Sequence, residues 1–267
     1  MPIVTVPDQP GVVVVSGGTY GIGRAITVTL ARRGFRVVAF ALDARQIGSA
    51  AENGRAGTLS ELRAAGCSAD VLECDVSVES DVKRVIAFAL ERYGRVDGLI
   101  NNAALHPRGN ALTTALDVWE KVLAVNLTGA FICAKTVLPH MISAGGGSIV
   151  NIGSGSGWGR ANLLAYCASK GGLYALTMAL AYDHMIDRVS VNMVIPGGTM
   201  TGATAPGYSL PGFEEVARRT VTGEPTQPAD IANAVAFLLS PEARQITGSV
   251  IDVGCFSHQG GPARAQA

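Results

Sequence analysis

Tyr166 and Lys170 stand four apart in Leu164-Ala-Tyr-Cys-Ala-Ser-Lys170, a spacing that places both side chains on one face of a helix. A phenol with a reference pKa of about 10 is a poor base at neutral pH, and an ammonium beside it makes the phenolate easier to reach. Alone, such a pair is most often an amphipathic surface. Ser154 changes the balance. It lies twelve residues before Tyr166, just past the apolar run Ser148–Ile152, and a strand ending there delivers its hydroxyl to the carboxyl edge of a sheet. The three groups together suit proton transfer at a hydroxyl or carbonyl oxygen. Tyr166 is then the acid or base, Lys170 eases its ionisation, and Ser154 hydrogen-bonds the reacting oxygen. Ser156, two residues further on, is a rival for the serine role.

A second candidate lies near the N-terminus. Val12-Val-Val-Val-Ser16 is a β-branched run of the kind expected of a strand buried on both faces. Gly17-Gly-Thr-Tyr-Gly-Ile-Gly23 follows directly, then a helical stretch that ends at Gly34. Glycines permit the tight turn and let backbone N–H groups approach a pyrophosphate at the positive end of the helix. Between a buried strand and a helix start, the turn reads as a phosphate cradle. No Lys-Ser or Lys-Thr follows the last glycine, which disfavours a nucleoside-triphosphate P-loop.

The elements that must position these groups follow from the hydrophobic pattern. Strands are expected near Val12–Ser16, Arg36–Phe40, Ala69–Glu73, Gly98–Asn101, Ser148–Ile152, Val189–Val194 and Val250–Val253. Helices are expected at Gly23–Arg33, Leu59–Ala65, Glu79–Tyr93, Leu116–Ala144 with a bend within it, Ala165–Met185 and Pro228–Leu239. Strict alternation argues an α/β fold with a doubly wound, parallel, seven-stranded sheet, that is, a Rossmann fold. With 267 residues and no break in composition, the chain reads as a single domain, 1–267, with 1–10 and 258–267 peripheral. Leu173, Leu176, Thr177 and Leu180 form a helical stripe that packs one helix on the sheet while it presents Tyr166 and Lys170. The Gly171-Gly172 step lets another element come close.

Composition removes several function classes. Formal net charge is zero, without the basic surplus that nucleic acid or an anionic membrane would need. The first ten residues lack a basic segment followed by an apolar core, and no run approaches about 18 uninterrupted apolar residues, so a cytoplasmic protein is expected. Five scattered cysteines without a Cys-x-x-Cys pair read as reduced structural thiols, Cys167 beside Tyr166 included. The four histidines have no metal-ligand spacing, and no metal is expected.

The spacing of Gly17, Gly21 and Gly23 with Ser154, Tyr166 and Lys170 resembles the short-chain dehydrogenase/reductase family in its shorter, classical type. The resemblance runs nearly the whole chain through Cys74-Asp-Val76, Asn101-Asn-Ala-Ala104, Asn126 in Val125-Asn-Leu127, and Pro196-Gly197. It implies an oxidoreductase that moves hydride between a nicotinamide and a secondary alcohol or carbonyl, with Asn126, Ser154, Tyr166 and Lys170 as catalytic residues. Asn126 is implied to support a water near Lys170 that relays protons to bulk. Gly17, Thr19, Tyr20, Gly21, Ile22 and Gly23 are implied at the cofactor phosphates, Leu42 and Asp43 after the second strand, and Asp75 and Val76 at the adenine. Asn102, Ala103 and Ala104 are implied along the ribose, Lys170 on the nicotinamide ribose, and Ile195, Pro196, Gly197, Thr199 and Thr201 near the carboxamide. The resemblance also implies a homotetramer, built on the helices that carry Leu116–Ala144 and Ala165–Met185.

The choice between NAD and NADP departs from the family pattern. Ala41 stands where NAD-preferring members carry an acid, and neither Leu42 nor Tyr20 is the cation that NADP-preferring members carry. Asp43 or Arg45 could act from a long Asp43–Gly57 connection. The absence of a visible cation for a 2′-phosphate favours NAD. Polar loops point to the substrate: His106, Arg108, Arg160 and Asn162 suit hydroxyls or an anion, and Trp158 suits stacking on a sugar ring, with Ser154, Ser156 and Tyr166 beside them. A tail around His258 is a further candidate. A sugar, sugar acid or other small polar alcohol is the first expectation, and a 3-oxoacyl thioester the next. A catalytically silent nucleotide-binding regulator is the alternative from another class, and it would have no need of all four catalytic residues.

Overall fold

The computed structural model describes residues 11–42, 54–199 and 220–256. Seven parallel strands are β1 (Val12–Ser16), β2 (Arg36–Ala41), β3 (Asp70–Glu73), β4 (Gly98–Asn101), β5 (Gly147–Ile152), β6 (Val189–Ile195) and β7 (Val250–Asp252). They lie in the order β3-β2-β1-β4-β5-β6-β7. Successive side chains of a strand face opposite ways, and both faces of this sheet are covered. Val14, Leu99 and Ile149 pack on one side against α3 (Glu79–Tyr93) and α5 (Gly129–Ser143). Val13, Val15, Ile100 and Val150 pack on the other against α1 (Gly21–Arg32) and α7 (Pro228–Leu238). Strands with two apolar faces need a helix on each, which is why the chain alternates.

Because β1 is followed outward by β2 and β3, and β4 then starts on the other flank of β1, the strand order reverses between β1 and β4. Ser16 and Asn101 are paired at the carboxyl ends of these two strands, and Asn101 pairs in turn with Asn151 of β5. The loops after β1, β4, β5 and β6 therefore converge on one edge, the place where an open α/β sheet binds ligands.

Three local departures from the pattern have physical causes. Helix α2 runs Gly54–Ala64, five residues earlier than expected, so the connection after β2 is shorter than Asp43–Gly57. Its two glycines argue against helix by propensity, but Thr58 Oγ1 bonds the Thr19 carbonyl oxygen at 3.1 Å, and Gly54 lies against the Tyr20 ring. The bend expected in Leu116–Ala144 is a π-helical turn, Ala124–Thr128, between α4 (Leu116–Leu123) and α5. The continuous stretch Leu116–Ser143 is long and apolar enough to span a membrane, yet Cys133, Val137 and Met141 bury its inner face on the sheet, as in a core helix. Helix α6 (Leu164–Asp183) buries Leu173 and Thr177 as the stripe requires. At the start of α7, the Gln227 backbone N–H donates to Asp230 at 2.8 Å in a capping box. All five cysteines are free thiols.

Candidate active site

The turn after β1 has the shape of a pyrophosphate cradle. Gly17 adopts φ +63°, and a Cβ there would lie 2.8 Å from the Ala103 Cα; one on Gly23 would strike the Gly17 carbonyl oxygen. Tyr20 precedes α1 without capping it through its side chain, and the first turn holds no acidic residue, so the positive helix end carries no acid of its own. Thr27 Oγ1 holds the Gly18 carbonyl oxygen at 2.9 Å and Arg24 Nε holds that of Thr19 at 3.1 Å, which fixes the turn before any ligand arrives. On this geometry Gly17, Thr19, Tyr20, Gly21, Ile22 and Gly23 fit the phosphates of a dinucleotide.

The neighbouring loops continue the cleft. Ser16 Oγ accepts from the backbone N–H of Asn102 at 3.0 Å and of Ala103 at 3.2 Å, while Asn102 Nδ2 donates to the Gly17 carbonyl oxygen at 3.0 Å. Asn102 is thus tied to the glycine turn, with Ala104 exposed beyond it. After β3, the Asp75 carboxylate accepts from the Ser77 N–H at 2.9 Å and hydroxyl at 2.6 Å, beside buried Val76. Ala41 is the last residue of β2, in register with Glu73, and Leu42 follows it half-buried. Gly197 packs against Gly254, and the Thr199 N–H turns back to the Gly197 carbonyl oxygen at 2.7 Å, directly after Pro196. Asp43, Arg45, Thr201 and His258 lie outside the described residues.

Strand β5 and helix α6 bring Ser154, Tyr166 and Lys170 together. Ser154 opens a 3₁₀ turn, Gly155–Trp158, whose Ser156 N–H donates to Ser154 Oγ at 3.2 Å. Burial raises the pKa of the Tyr166 phenol above its ordinary value, and a hydrogen bond with Ser154 pulls it back down. Burial pulls the Lys170 ammonium down to about 8. Its Nζ donates to the Ile152 carbonyl oxygen at 2.7 Å and lies 5.8 Å from the Tyr166 ring centroid. Ser156 is buried, and among the described residues no hydrogen bond joins its hydroxyl to Tyr166.

Asn126, in the π-helical turn, is buried and fully committed. Its Oδ1 accepts from the Leu105 N–H at 2.7 Å, and its Nδ2 donates to the Leu105 carbonyl oxygen at 2.9 Å and to Ser169 Oγ at 3.0 Å. Ser169 in turn donates to the Tyr166 carbonyl oxygen at 2.8 Å. The loop after β4 and the helix carrying Tyr166 are therefore locked through one amide. Next to Leu105, the His106 ring meets the Tyr166 ring edge-on, with centroids 4.3 Å apart. Partial burial, then Arg108 and Arg160, hold the His106 pKa below its ordinary value. Trp158 is exposed and leans on Tyr174, 6.4 Å between ring centroids. Sequence reasoning passed over Ser16, Ser169 and the Tyr166 contact of His106; pairing across elements leaves no periodic signal in a single chain.

Comparison with known proteins shows what the chain is similar to. A family profile described as enoyl-(acyl carrier protein) reductase matches residues 17–255. The 2-(S)-hydroxypropyl-CoM dehydrogenase 3 of Xanthobacter autotrophicus is 36% identical over 250 residues, covering 91% of this chain and 94% of that one. The cis-4-hydroxycyclohexanecarboxylate dehydrogenase of Sinomonas cyclohexanicum is 34% identical over 244 residues, covering 91% and 94%. A crystal structure of an actinorhodin polyketide ketoreductase with NADPH superposes with a TM-score of 0.82 at 34% identity, covering 91% of this chain and 95% of that one.

Proposed function

This chain belongs to the short-chain dehydrogenase/reductase family, and we propose that it interconverts a secondary alcohol and its ketone on a small polar molecule: a sugar, a sugar acid or a related alcohol. The observation that carries the reading is the Ser154–Tyr166–Lys170 cluster at the sheet edge beside the glycine turn. A bound nicotinamide supplies the hydride acceptor or donor. Tyr166 takes the proton of the substrate hydroxyl in oxidation and returns it in reduction. Ser154 holds the reacting oxygen, and the Lys170 ammonium favours the phenolate. Asn126 positions the loop and the helix that frame this oxygen. NAD is the preferred cofactor, since Ala41, Leu42 and Tyr20 offer a 2′-phosphate no cation.

Reduction of a 3-oxoacyl thioester is the second reading, favoured by the likeness to a polyketide ketoreductase. The proposal extends to a cytoplasmic homotetramer, for which exposed Phe131 on α5 and Tyr174 and Tyr182 on α6 offer apolar surface. The test is a panel of polyols, aldoses, sugar acids and 3-oxoacyl thioesters with each cofactor, followed by nicotinamide absorbance. Turnover confined to the thioesters would move the assignment to the second reading, and no turnover on any member would favour a silent regulator.

A further inference from the structure

The two loops that flank Tyr166 are stitched to each other. The Gly109 N–H donates to the Asn162 carbonyl oxygen and the Leu164 N–H to the Gly109 carbonyl oxygen, both at 3.0 Å, in an isolated parallel bridge between Gly109 and Leu163. Gly109 is buried, and a Cβ on it would lie 2.5 Å from Thr114 Oγ1, so the junction is packed too closely for a side chain at this position. At its other end the first loop is held by Asn126 through both backbone groups of Leu105. Arg108 and Arg160 are thereby carried on two anchored segments that meet beside the reactive phenol.

Both guanidiniums act on His106, which itself touches Tyr166. No carboxylate answers them: among the described residues neither side chain has an ion pair or a hydrogen bond, unlike Arg84, Arg92 and Arg95, each of which is paired with an aspartate. Two like charges held near each other repel, and an anion between them relieves that repulsion. Guanidinium geometry matches carboxylate, sulfonate and phosphate alike through paired N–H···O bonds.

We infer that Arg108 and Arg160 form an anion subsite at the mouth of the cleft, so that the substrate is a secondary alcohol or ketone bearing a carboxylate, sulfonate or phosphate remote from the reacting carbon. His106 lies between this subsite and Tyr166 and sets the distance from the anion to the carbon that reacts. The inference rests on the proposed alcohol/ketone chemistry and narrows its substrate class.

The experiment compares matched secondary alcohols on one carbon skeleton, ending in carboxylate, sulfonate, phosphate or neutral carboxamide. Charge-assisted hydrogen bonds predict that the best anion exceeds the carboxamide on the order of 100-fold in kcat/KM. Arg108→Met and Arg160→Met should each cut that ratio about tenfold and together bring it near unity, with lysine restoring only part. Higher salt should also compress the ratio, because the guanidiniums are exposed. The three anions tell apart carboxylate, sulfonate and phosphate sources. A carboxamide turned over as well as the anions, or a ratio untouched in the double variant, would overturn the subsite while leaving the redox reading intact. The same carboxylate without its hydroxyl, titrated calorimetrically into the protein with NAD present, reads the subsite without turnover. Binding that disappears in the double variant supports it even where no hydride moves, and absence of binding by the unsubstituted protein overturns it.

Discussion

Gly157 lies flush against the backbone of Lys170: a Cβ added to it would sit 3.1 Å from the Lys170 carbonyl carbon, and one on Gly171 would sit 3.1 Å from the Gly157 carbonyl oxygen. The turn that carries Ser154 thus rests directly on the helix that carries Tyr166 and Lys170. Neither surface is a flexible side-chain end that could move aside.

Gly157→Ala should therefore separate the turn from α6 by a few tenths of an ångström and disturb the placement of Ser154 against Tyr166. We expect kcat to fall roughly tenfold with KM changed less, since misplacement of a positioned group costs mainly the chemical step. The accompanying loss of stability should be about 1 kcal/mol, the low end for overpacking. Steady-state kinetics with a denaturant melt checks both; normal kcat would mean that the contact sets nothing.

Tyr166→Phe should nearly abolish turnover while cofactor affinity persists, because it removes the transferable proton and keeps the ring that packs on His106. Ser154→Ala should cost on the order of 100-fold in kcat, as for loss of one oxyanion donor. Ser156→Ala should cost much less, since Ser154 and not Ser156 acts on the Tyr166 phenol. A larger loss from Ser156→Ala would reassign the serine role.

Lys170 gives a stability prediction with a definite sign. Burial lowers its pKa from 10.5 to about 8, so between these values the unfolded chain holds the proton that the folded chain has released. Stability contributed by this site then rises with pH across that window, and the cost of the buried ammonium is fully present below it. At 1.36 kcal/mol per pKa unit the cost is about 3 kcal/mol. The unfolding free energy of Lys170→Met minus that of the unsubstituted protein should fall by about this amount from pH 7 to pH 10.5. A pH-independent difference would exclude a depressed ammonium.

Ala41→Asp should shift the kcat/KM ratio toward NAD over NADP, because a carboxylate at the end of β2 accepts the ribose hydroxyls and repels a 2′-phosphate. The pairing of Ala41 with Glu73 fixes that strand end. An unchanged ratio would place the ribose elsewhere.

What the sequence by itself determined was everything carried by local period and local chemistry. The Val12–Val15 run, buried throughout, and the glycine turn before α1 gave the nucleotide end. The four-residue interval from Tyr166 to Lys170 put both on one face of α6, because helical spacing decides that much, while which way the face points was left to the packing of the helix. Even the bend between Leu116 and Ala144 was expected, although not its place.

Tertiary structure decided what depends on groups distant along the chain. Helix α2 already includes Gly54 and Gly57, and Tyr20 and the Thr19 carbonyl, over thirty residues earlier, hold it there against poor propensity. Asn126 reaches Leu105 and Ser169, and Lys170 reaches the Ile152 carbonyl oxygen, pairings between elements that meet only once the sheet has formed. The bridge between Gly109 and Leu163, which joins the loops carrying Arg108 and Arg160, belongs to the same class. Short-range sterics and periodicity act within a few residues and can be read in a line. Hydrogen bonds and charges that close across the sheet edge depend on packing, and only the folded chain fixes which residues they join.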